Sequence, residues 1–147
     1  MKAFVVSVVI VGVLAACNGD GATSVAAQAE LAQHEAIWHQ RDFHSYTFDF
    51  VQQQFGMTEN LHVTVHADTV ASVIDNDTGM PPTVPVHAPT IDELFGDANG
   101  AITNKALSVS LEFDDQLGYL TLYAVSAKVS TPAGPYSAKV SNLAAVE

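Results

Sequence analysis

The chain has 147 residues, of which 48% are apolar and only 14% are charged, and its formal net charge is −11. This length suits a single domain and excludes most multidomain machines. Five basic residues against sixteen acidic ones also argue against nucleic acid as a partner, because phosphates bind to a basic surface.

The N-terminus has the pattern of a bacterial lipoprotein signal. Lys2 supplies a positive charge, and residues 3–14 are small or apolar, a run shorter than the roughly 20 residues of a membrane-spanning helix. The run ends in a lipobox, Leu14-Ala15-Ala16-Cys17. Its small side chains suit the signal peptidase, and only the Cys17 thiol can form a thioether with diacylglycerol. We predict a signal peptide over residues 1–16 and an acylated Cys17.

Acylation would also determine where the protein is located. Cys17 is the only cysteine, so its thiol has no intramolecular disulfide partner. The alternative is an ordinary signal peptide cut after Ala16. Anionic headgroups repel so acidic a chain, and contact with the membrane is therefore expected through the N-terminal acyl chains. In enteric sorting, an aspartate directly after the acylated cysteine would favour the inner membrane. This chain has Asn18 there, which favours the inner leaflet of the outer membrane, facing the periplasm.

The mature chain is predicted to consist of a tether and one domain. Residues 17–24 comprise the acylated cysteine and a Gly-rich polar stretch typical of a flexible linker. Residues 25–147 form the domain, whose first helix is expected from Val25 to about Arg41. One face of this helix carries Ala27, Leu31, His34 and the anchor Trp38.

The next segments alternate with the period of two that is typical of strands. The apolar sides are formed by Tyr46, Phe48 and Phe50 in the first strand and by Leu61, Val63 and Val65 in the second. A tight turn at Ala67-Asp68 leads into a third strand that ends at Ile74. Residues 75–89 contain four prolines and are predicted to form a long loop.

A second helix is predicted by its capping box. Thr90 occupies the N-cap position, and Glu93 follows three residues later. The apolar stripe of this helix consists of Ile91, Leu94, Phe95, Ala98 and Ile102. We expect the helix to end near Asn104.

Three more strands follow the second helix. Residues 107–113 alternate, residues 114–118 form a turn, residues 119–130 form a long strand, residues 131–135 form another turn, and residues 136–143 form the last strand. The order helix, three strands, helix, three strands predicts an α+β fold. It would have a single antiparallel sheet of about six strands, with the two helices on one face.

The pentapeptide Ser-Ala-Lys-Val-Ser occurs twice, at residues 126–130 and 137–141. If the two copies pair antiparallel, Lys128 lies opposite Lys139. Two interpretations are open. The hairpin is solvated and its lysines are offset by neighbouring acids, or the two lysines form a contact for an anion or an acidic partner.

Several short motifs resemble those of one bacterial family. They are Trp38, Tyr46-Thr47-Phe48, Val63-Thr64-Val65, Thr90-Ile91-Asp92-Glu93-Leu94-Phe95 and Gly118-Tyr119. Roughly from Trp38 to Leu143, the chain resembles the domain-of-unknown-function family numbered sixty-one seventy-four, which comprises small secreted or lipid-anchored proteins. The family often carries Cys-x-Cys where this chain has Gln54-Phe55-Gly56, and proline where it has Leu120. The resemblance supports the fold, implies no activity, and leaves no redox or metal role for those cysteines here.

Six histidines raise the question of a metal site. His62 and His66 lie four residues apart on a predicted strand, about 13 Å at 3.3 Å per residue, too far to share one zinc ion. Residues 75–79 resemble the opening of a calcium loop, but Met80 and Val86 stand where glycine and glutamate are required. An Asx-rich turn is the alternative there. We expect no metal and no cofactor.

No catalytic residues are predicted. Asp114 and Asp115 are neighbours at a strand end, where a turn is the simpler interpretation than a carboxylate pair. Phosphate-loop, nucleophile-elbow and zincin motifs do not occur in the sequence. Six aromatic residues could line a groove on the open sheet face or pack in the core, namely Tyr46, Phe48, Phe50, Phe55, Tyr119 and Tyr123.

The expected role is therefore a lipid-anchored, non-catalytic binding or structural module of the cell envelope. Another envelope protein is the candidate partner. The alternative is a small envelope hydrolase or a metal-dependent enzyme.

Overall fold

The computed structural model describes residues 20–104, 108–126 and 135–146, with side chains from residue 24 onward. In these ranges the chain forms two helices and six strands in the predicted order. They are α1 (Asp20–Trp38), β1 (Tyr46–Gln54), β2 (Met57–His66), β3 (Thr69–Asp75), α2 (Ile91–Thr103), β4 (Ser108–Phe113), β5 (Leu120–Ser126) and β6 (Tyr136–Ala145). The predicted α+β fold is confirmed.

The strands form one antiparallel sheet in the order β3-β2-β1-β6-β5-β4. Each half of the chain contributes a three-stranded meander, and the two meanders join where β1 pairs with β6. Phe50 of β1, for example, lies opposite both Leu61 of β2 and Val140 of β6. The first and last strands therefore form the centre of the sheet.

One face of the sheet and the two helices enclose the core, as predicted from the alternation. Trp38 is fully buried and meets Phe43, Tyr46 and Tyr119 edge-on, with ring centroids 6.0, 5.4 and 6.2 Å away. Such edge-to-face contacts are a preferred arrangement of aromatic pairs. Five of the six aromatic residues considered above are buried in this core, whereas Phe55 is 60% exposed.

The first helix differs from its prediction at both ends. It begins at Asp20, so residues 20–24 are helical, and the prediction of a flexible stretch extending to Ser24 is wrong there. Extending an existing helix forms one backbone hydrogen bond per added residue, which offsets the low helix propensity of a glycine. The helix ends at Trp38, and the N–H groups of His39 and Gln40 then close the last turn.

The second helix matches its prediction. The Thr90 side chain accepts a hydrogen bond from the Glu93 N–H at 3.2 Å, and the Glu93 carboxylate accepts one from the Thr90 N–H at 2.7 Å. The helix ends with Asn104 as its C-cap. Its buried residues are Ile91, Leu94, Phe95, Ala98 and Ile102.

Removal of the N-cap hydroxyl should destabilise the domain moderately. Thr90→Ala leaves the Glu93 N–H without its acceptor, and we expect the free energy of unfolding to fall by about 1 kcal/mol. Thr90→Ser keeps the hydroxyl and should lose much less. Urea unfolding followed by circular dichroism measures both variants, and equal losses would contradict the capping role.

The predicted pairing of the two repeated pentapeptides is wrong. Lys139 lies opposite Leu122, and Tyr136 lies opposite Val125. Lys128 itself lies outside the described residues. The predicted and observed registers differ by an even number of residues, so the alternation of faces does not distinguish them. The observed register places the large Tyr123 beside the small Ala138, both buried, which fills the core efficiently.

Candidate functional site

The predicted lipidation residues, Leu14, Ala15, Ala16 and Cys17, lie outside the described part of the chain. Within that part, no helix is long and apolar enough to cross a membrane. Lys139 is exposed on the open face of the sheet, between Val51 and Leu122. Its cross-strand neighbours are therefore apolar, and the register offers no support for a paired-lysine contact.

The histidines are dispersed over the molecule. Three lie within hydrogen-bond distance of an aspartate: His39 with Asp92 at 2.9 Å, His44 with Asp68 at 2.7 Å and His62 with Asp49 at 2.8 Å. His34 instead stacks on Phe113, with ring centroids 4.0 Å apart. Among the described residues, no group of three or more histidine, cysteine, aspartate or glutamate side chains is arranged to hold a metal ion.

The acidic motifs at residues 75–79 and 114–115 both form turns. Asp75 Oδ1 accepts hydrogen bonds from the N–H groups of Asp77 and Thr78 at 2.8 and 2.9 Å. Asp114 Oδ1 likewise accepts from the N–H groups of Gln116 and Leu117 at 3.0 and 2.7 Å. The Asx-turn interpretation is confirmed at both places.

A polar cluster around Asp49 lies on the open face of the sheet. Asn142 Nδ2 donates to Asp49 Oδ2 at 2.7 Å, and His62 Nδ1 lies 2.8 Å from Asp49 Oδ1. These hydrogen bonds, first that from Asn142 and then that from His62, lower the pKa of Asp49 below its ordinary value of 3.8. Asn142 has a φ of 54°, a left-handed conformation that asparagine tolerates. The cluster ties β1 to β2 and β6.

The lowered pKa of Asp49 leads us to expect that the folded domain loses stability in acid. A carboxyl group whose pKa is lowered by folding stabilises the folded state above its ordinary pKa of 3.8, and this contribution disappears as the pH falls through the folded value. Asn142→Gly removes the donor while keeping the backbone conformation. We expect the pKa of Asp49, measured by NMR titration, to rise in this variant. An unchanged pKa would contradict the assigned cause.

A second polar cluster surrounds Arg41 where α1 ends and α2 begins. The Arg41 side chain is only 5% exposed, and its guanidinium contacts Asp68 at 2.7 Å and Asp92 at 3.3 Å. It also lies 4.0 Å from the centre of the Trp38 ring. These contacts hold α1, the β2–β3 turn and α2 together, so the cluster has a clear structural role.

The candidate functional site is a cleft on the helix side of the sheet, with a volume of about 500 Å³. It opens between α2, the loop before α2 and the ends of β1, β2, β5 and β6. Its polar lining consists of Gln52, Gln54, Glu59, His87, Asp97, Tyr123 and Tyr136. Pro85, Val86 and Val125 supply apolar surface. A cleft of this size and mixed lining is typical of sites for small molecules.

Gln52 organises the floor of the cleft. Its side chain is almost fully buried, and its Nε2 donates to the Glu59 carboxylate and, at 3.1 Å, to the His87 carbonyl. Its Oε1 accepts from the Tyr136 hydroxyl at 3.4 Å. One amide therefore connects β1, β2, β6 and the loop before α2. This network fixes the positions of the groups that face the cleft.

Two tyrosines form one wall of the cleft. The rings of Tyr123 and Tyr136 lie 5.6 Å apart at an angle of 59°. Burial raises the pKa of each hydroxyl to about 12, so both remain protonated donors at neutral pH. The Tyr123 hydroxyl donates to the Asp97 carbonyl at 3.2 Å, which connects this wall to α2.

Asp97 is a titratable group of the cleft, and its pKa is shifted by its surroundings. Burial raises the pKa of its carboxyl group, and the nearby His87 partly opposes this increase. His87 Nε2 lies 4.0 Å from Asp97 Oδ2, too far for a hydrogen bond. The effect of burial on the ionised Asp97 therefore outweighs the stabilisation that His87 gives it. A raised pKa of this kind is common among functional carboxylates.

Sequence reasoning missed this cleft, although a signal was present. On β1 the inward-facing row Tyr46, Phe48 and Phe50 continues with the polar Gln52. On β2 the inward-facing Leu61 is preceded by Glu59, which is the register partner of Gln52. Polar residues thus replace apolar ones at the same level of two neighbouring strands, and this indicates that the core side is solvated there.

A groove of about 510 Å³ adjoins the cleft and shares Gln54, Val125 and Tyr136 with it. It is lined mainly by hydroxyl and amide side chains, with Phe55 and Met57 exposed at the β1–β2 turn. Its described lining contains no aspartate, glutamate, histidine, lysine or arginine. The cleft around Gln52 is the better candidate because charged and aromatic groups converge in it.

Comparison with known proteins identifies the family but no function. No curated protein and no solved structure matches the chain. The family model described as "Family of unknown function (DUF6174)" matches residues 30–145, a range that contains both the sheet and the cleft. The chain therefore belongs to the DUF6174 family.

Proposed function

We propose that the protein is a lipid-anchored module of the bacterial cell envelope that binds a small molecule in the cleft around Gln52. One observation carries the binding role: polar side chains from separate elements converge in a single cavity. They are Gln52 of β1, Glu59 of β2, His87 of the loop, Asp97 of α2, Tyr123 of β5 and Tyr136 of β6. The anchor rests on the lipobox that ends at Cys17, and Asn18 favours the outer membrane, with the domain in the periplasm.

The arrangement of the cleft favours binding because its groups are held before a ligand arrives. Gln52 is buried and fully engaged in hydrogen bonds, and Tyr123 is tied to α2. A preorganised site loses less conformational entropy when a ligand binds. The carboxylates and the Gln54 amide would orient the ligand, the tyrosine oxygens would accept hydrogen bonds from it, and the apolar surface of Val86 and Val125 would bury its hydrocarbon part.

The cleft can be tested with a library of small neutral, anionic and cationic fragments. We expect amide shifts in NMR spectra of the labelled protein to cluster at residues 85–87, 97, 123 and 136. Gln54→Trp places an indole in the cleft from an exposed position and should abolish these shifts. Gln53→Trp is the matched control, since this exposed neighbour points to the opposite face. If no fragment shifts these residues, the cleft does not bind ligands.

The membrane anchor can be tested in the host bacterium. Cys17→Ser removes the thiol that forms the thioether, and we expect the protein to move from the membrane fraction to the soluble fraction. Ala22→Ser, outside the lipobox, should leave fractionation unchanged. A Cys17→Ser protein that still sediments with membranes and is released by detergent would disprove the lipoprotein assignment.

A small hydrolase is the second candidate function. Asp97, whose pKa is raised by burial, lies beside His87 in the cleft, and carboxyl groups of this kind serve as general acids. Under this alternative, fragments bound in the cleft that carry ester or amide bonds would be hydrolysed, and Asp97→Asn would stop turnover while retaining binding. Chromatography of the bound fragments distinguishes the two functions.

A further inference from the structure

Among the described residues that line the cleft, the formal charges have one sign. Glu59 and Asp97 contribute two carboxylates, while its described lining contains neither lysine nor arginine. Of the other basic residues that the structure describes, Arg41 pairs with Asp68 and Asp92, and Lys139 lies on the opposite face of the sheet. Among the described lining residues, only His87, whose Nε2 lies 4.0 Å from Asp97 Oδ2, could carry a positive charge.

Both carboxylates act on the same tyrosine. The charges of Asp97 and Glu59 each contribute to the raised pKa of the Tyr136 hydroxyl, after the larger effect of burial. Asp97 has the same influence on Tyr123. Glu59 and Asp97 line the same cleft as the two tyrosines.

The tyrosine wall is suited to a positive group. Tyr123 and Tyr136 both line the cleft, with ring centroids 5.6 Å apart at an angle of 59°, and the half-buried Tyr136 is the more accessible of the two. The face of an aromatic ring carries partial negative charge and attracts ammonium groups within about 6 Å. Carboxylates and aromatic faces at one place favour the same kind of ligand.

We propose that the cleft selects small organic cations that carry an ammonium group, which would lie against Tyr123 and Tyr136 and be neutralised by Glu59 and Asp97. This inference rests on the proposed binding function and specifies the ligand class for the same cleft. The hydrocarbon part of the ligand would contact Val86 and Val125. Primary and quaternary ammonium groups share this chemistry, and the experiment distinguishes them.

The test uses the full acylated chain in maltoside micelles, a detergent without ammonium groups. Binding of choline is compared with that of 3,3-dimethylbutan-1-ol, its uncharged isostere, by NMR titration. We expect choline to bind about tenfold more tightly than the isostere. Ethanolamine replaces the quaternary group by a primary one. If it binds as well as choline, hydrogen bonds to the carboxylates dominate, and if it binds more weakly, the aromatic faces dominate; both results support an ammonium site.

Variants assign the selectivity to the cleft. Asp97→Asn and Glu59→Gln should each weaken choline binding several-fold and leave binding of the isostere unchanged. Asp97 is half-exposed and Gln can still accept the hydrogen bond from Gln52, so both variants should fold. Glu112→Gln is the matched control, since it removes one exposed carboxylate from the opposite face and should have no effect.

Two results would overturn the inference and leave the binding function intact. The first is equal binding of choline and its isostere, with both abolished by Gln54→Trp. The second is a cleft that binds only anionic or neutral fragments. If no probe of any charge shifts the cleft residues, the proposed function fails as well, so the two failures can be told apart.

Discussion

Replacing Trp38 by alanine should lower the free energy of unfolding by about 3–5 kcal/mol, as expected for a large aromatic side chain in a packed core. Trp38 is fully buried and contacts three other rings. Its Nε1 donates to Asp92 at 3.2 Å, and the Arg41 guanidinium lies over its ring. The substitution therefore opens a cavity and weakens the attachment of α1 to the start of α2.

The measurement is urea unfolding followed by circular dichroism, with two comparison variants. Trp38→Phe retains an aromatic ring but loses the N–H donor, and its loss should be intermediate. Val25→Ala changes a residue of the same helix that is 64% exposed, and its loss should be negligible. A loss below about 1 kcal/mol for Trp38→Ala would mean that α1 does not pack on the sheet as described.

Gly118→Ala should have the second large effect, a loss of about 2–5 kcal/mol, for two separable reasons. Gly118 has a φ of 77°, a conformation that costs a residue with a Cβ roughly 1–2 kcal/mol. In addition, a Cβ at this position would lie 2.6 Å from the His34 carbonyl oxygen and 2.9 Å from the Ile37 Cβ. Either α1 or the turn between β4 and β5 must move.

Gly56→Ala separates the two contributions to the Gly118 effect. Gly56 has nearly the same φ, 76°, but a Cβ there would meet nothing within 4 Å. We expect this variant to lose only the backbone contribution of roughly 1–2 kcal/mol. Equal losses for Gly56→Ala and Gly118→Ala in the same unfolding experiment would show that α1 does not approach the turn closely.

The second helix could be predicted almost completely because its signals are local. Thr90 and Glu93 form a capping box within one helical turn, and the apolar stripe can be recognised from the helical period alone. The start of the first helix could not be predicted in this way. Residues 20–24 carry the composition of a linker, yet they continue a helix whose later residues are held in place by Trp38.

The pairing of β5 with β6 shows a limit of pattern reasoning. The repeated pentapeptides suggest their own register, and alternation is equally satisfied by registers that differ by an even number of residues. The choice depends on how Tyr123 packs beside Ala138 and on how Val125 packs beside Tyr136. Such volume matching exists only after the strands have been brought together.

The cleft is the part that sequence reasoning could least supply. Its polar residues come from four strands, one helix and one loop, and no two of the key groups form a recognisable motif. Gln52 and Glu59 break the apolar rows at one level, which indicates a solvated end of the core. Only the fold brings His87, Asp97 and Tyr136 to that same end.

The central position of β1 and β6 affects how the domain reaches its native state. Tyr46 pairs with Ala145, so nearly the whole domain separates the two strands, and contacts of such high sequence separation slow folding. Before β6 has paired with β1, the β1–β3 meander has an unpaired edge at β1, and a strand from another molecule can pair with this edge. β6 from a second copy could occupy the same place, with the loop between β3 and α2 acting as the hinge of an exchanged dimer. Substitutions that weaken β6 should therefore reduce the yield of correctly folded monomer more than they reduce its stability.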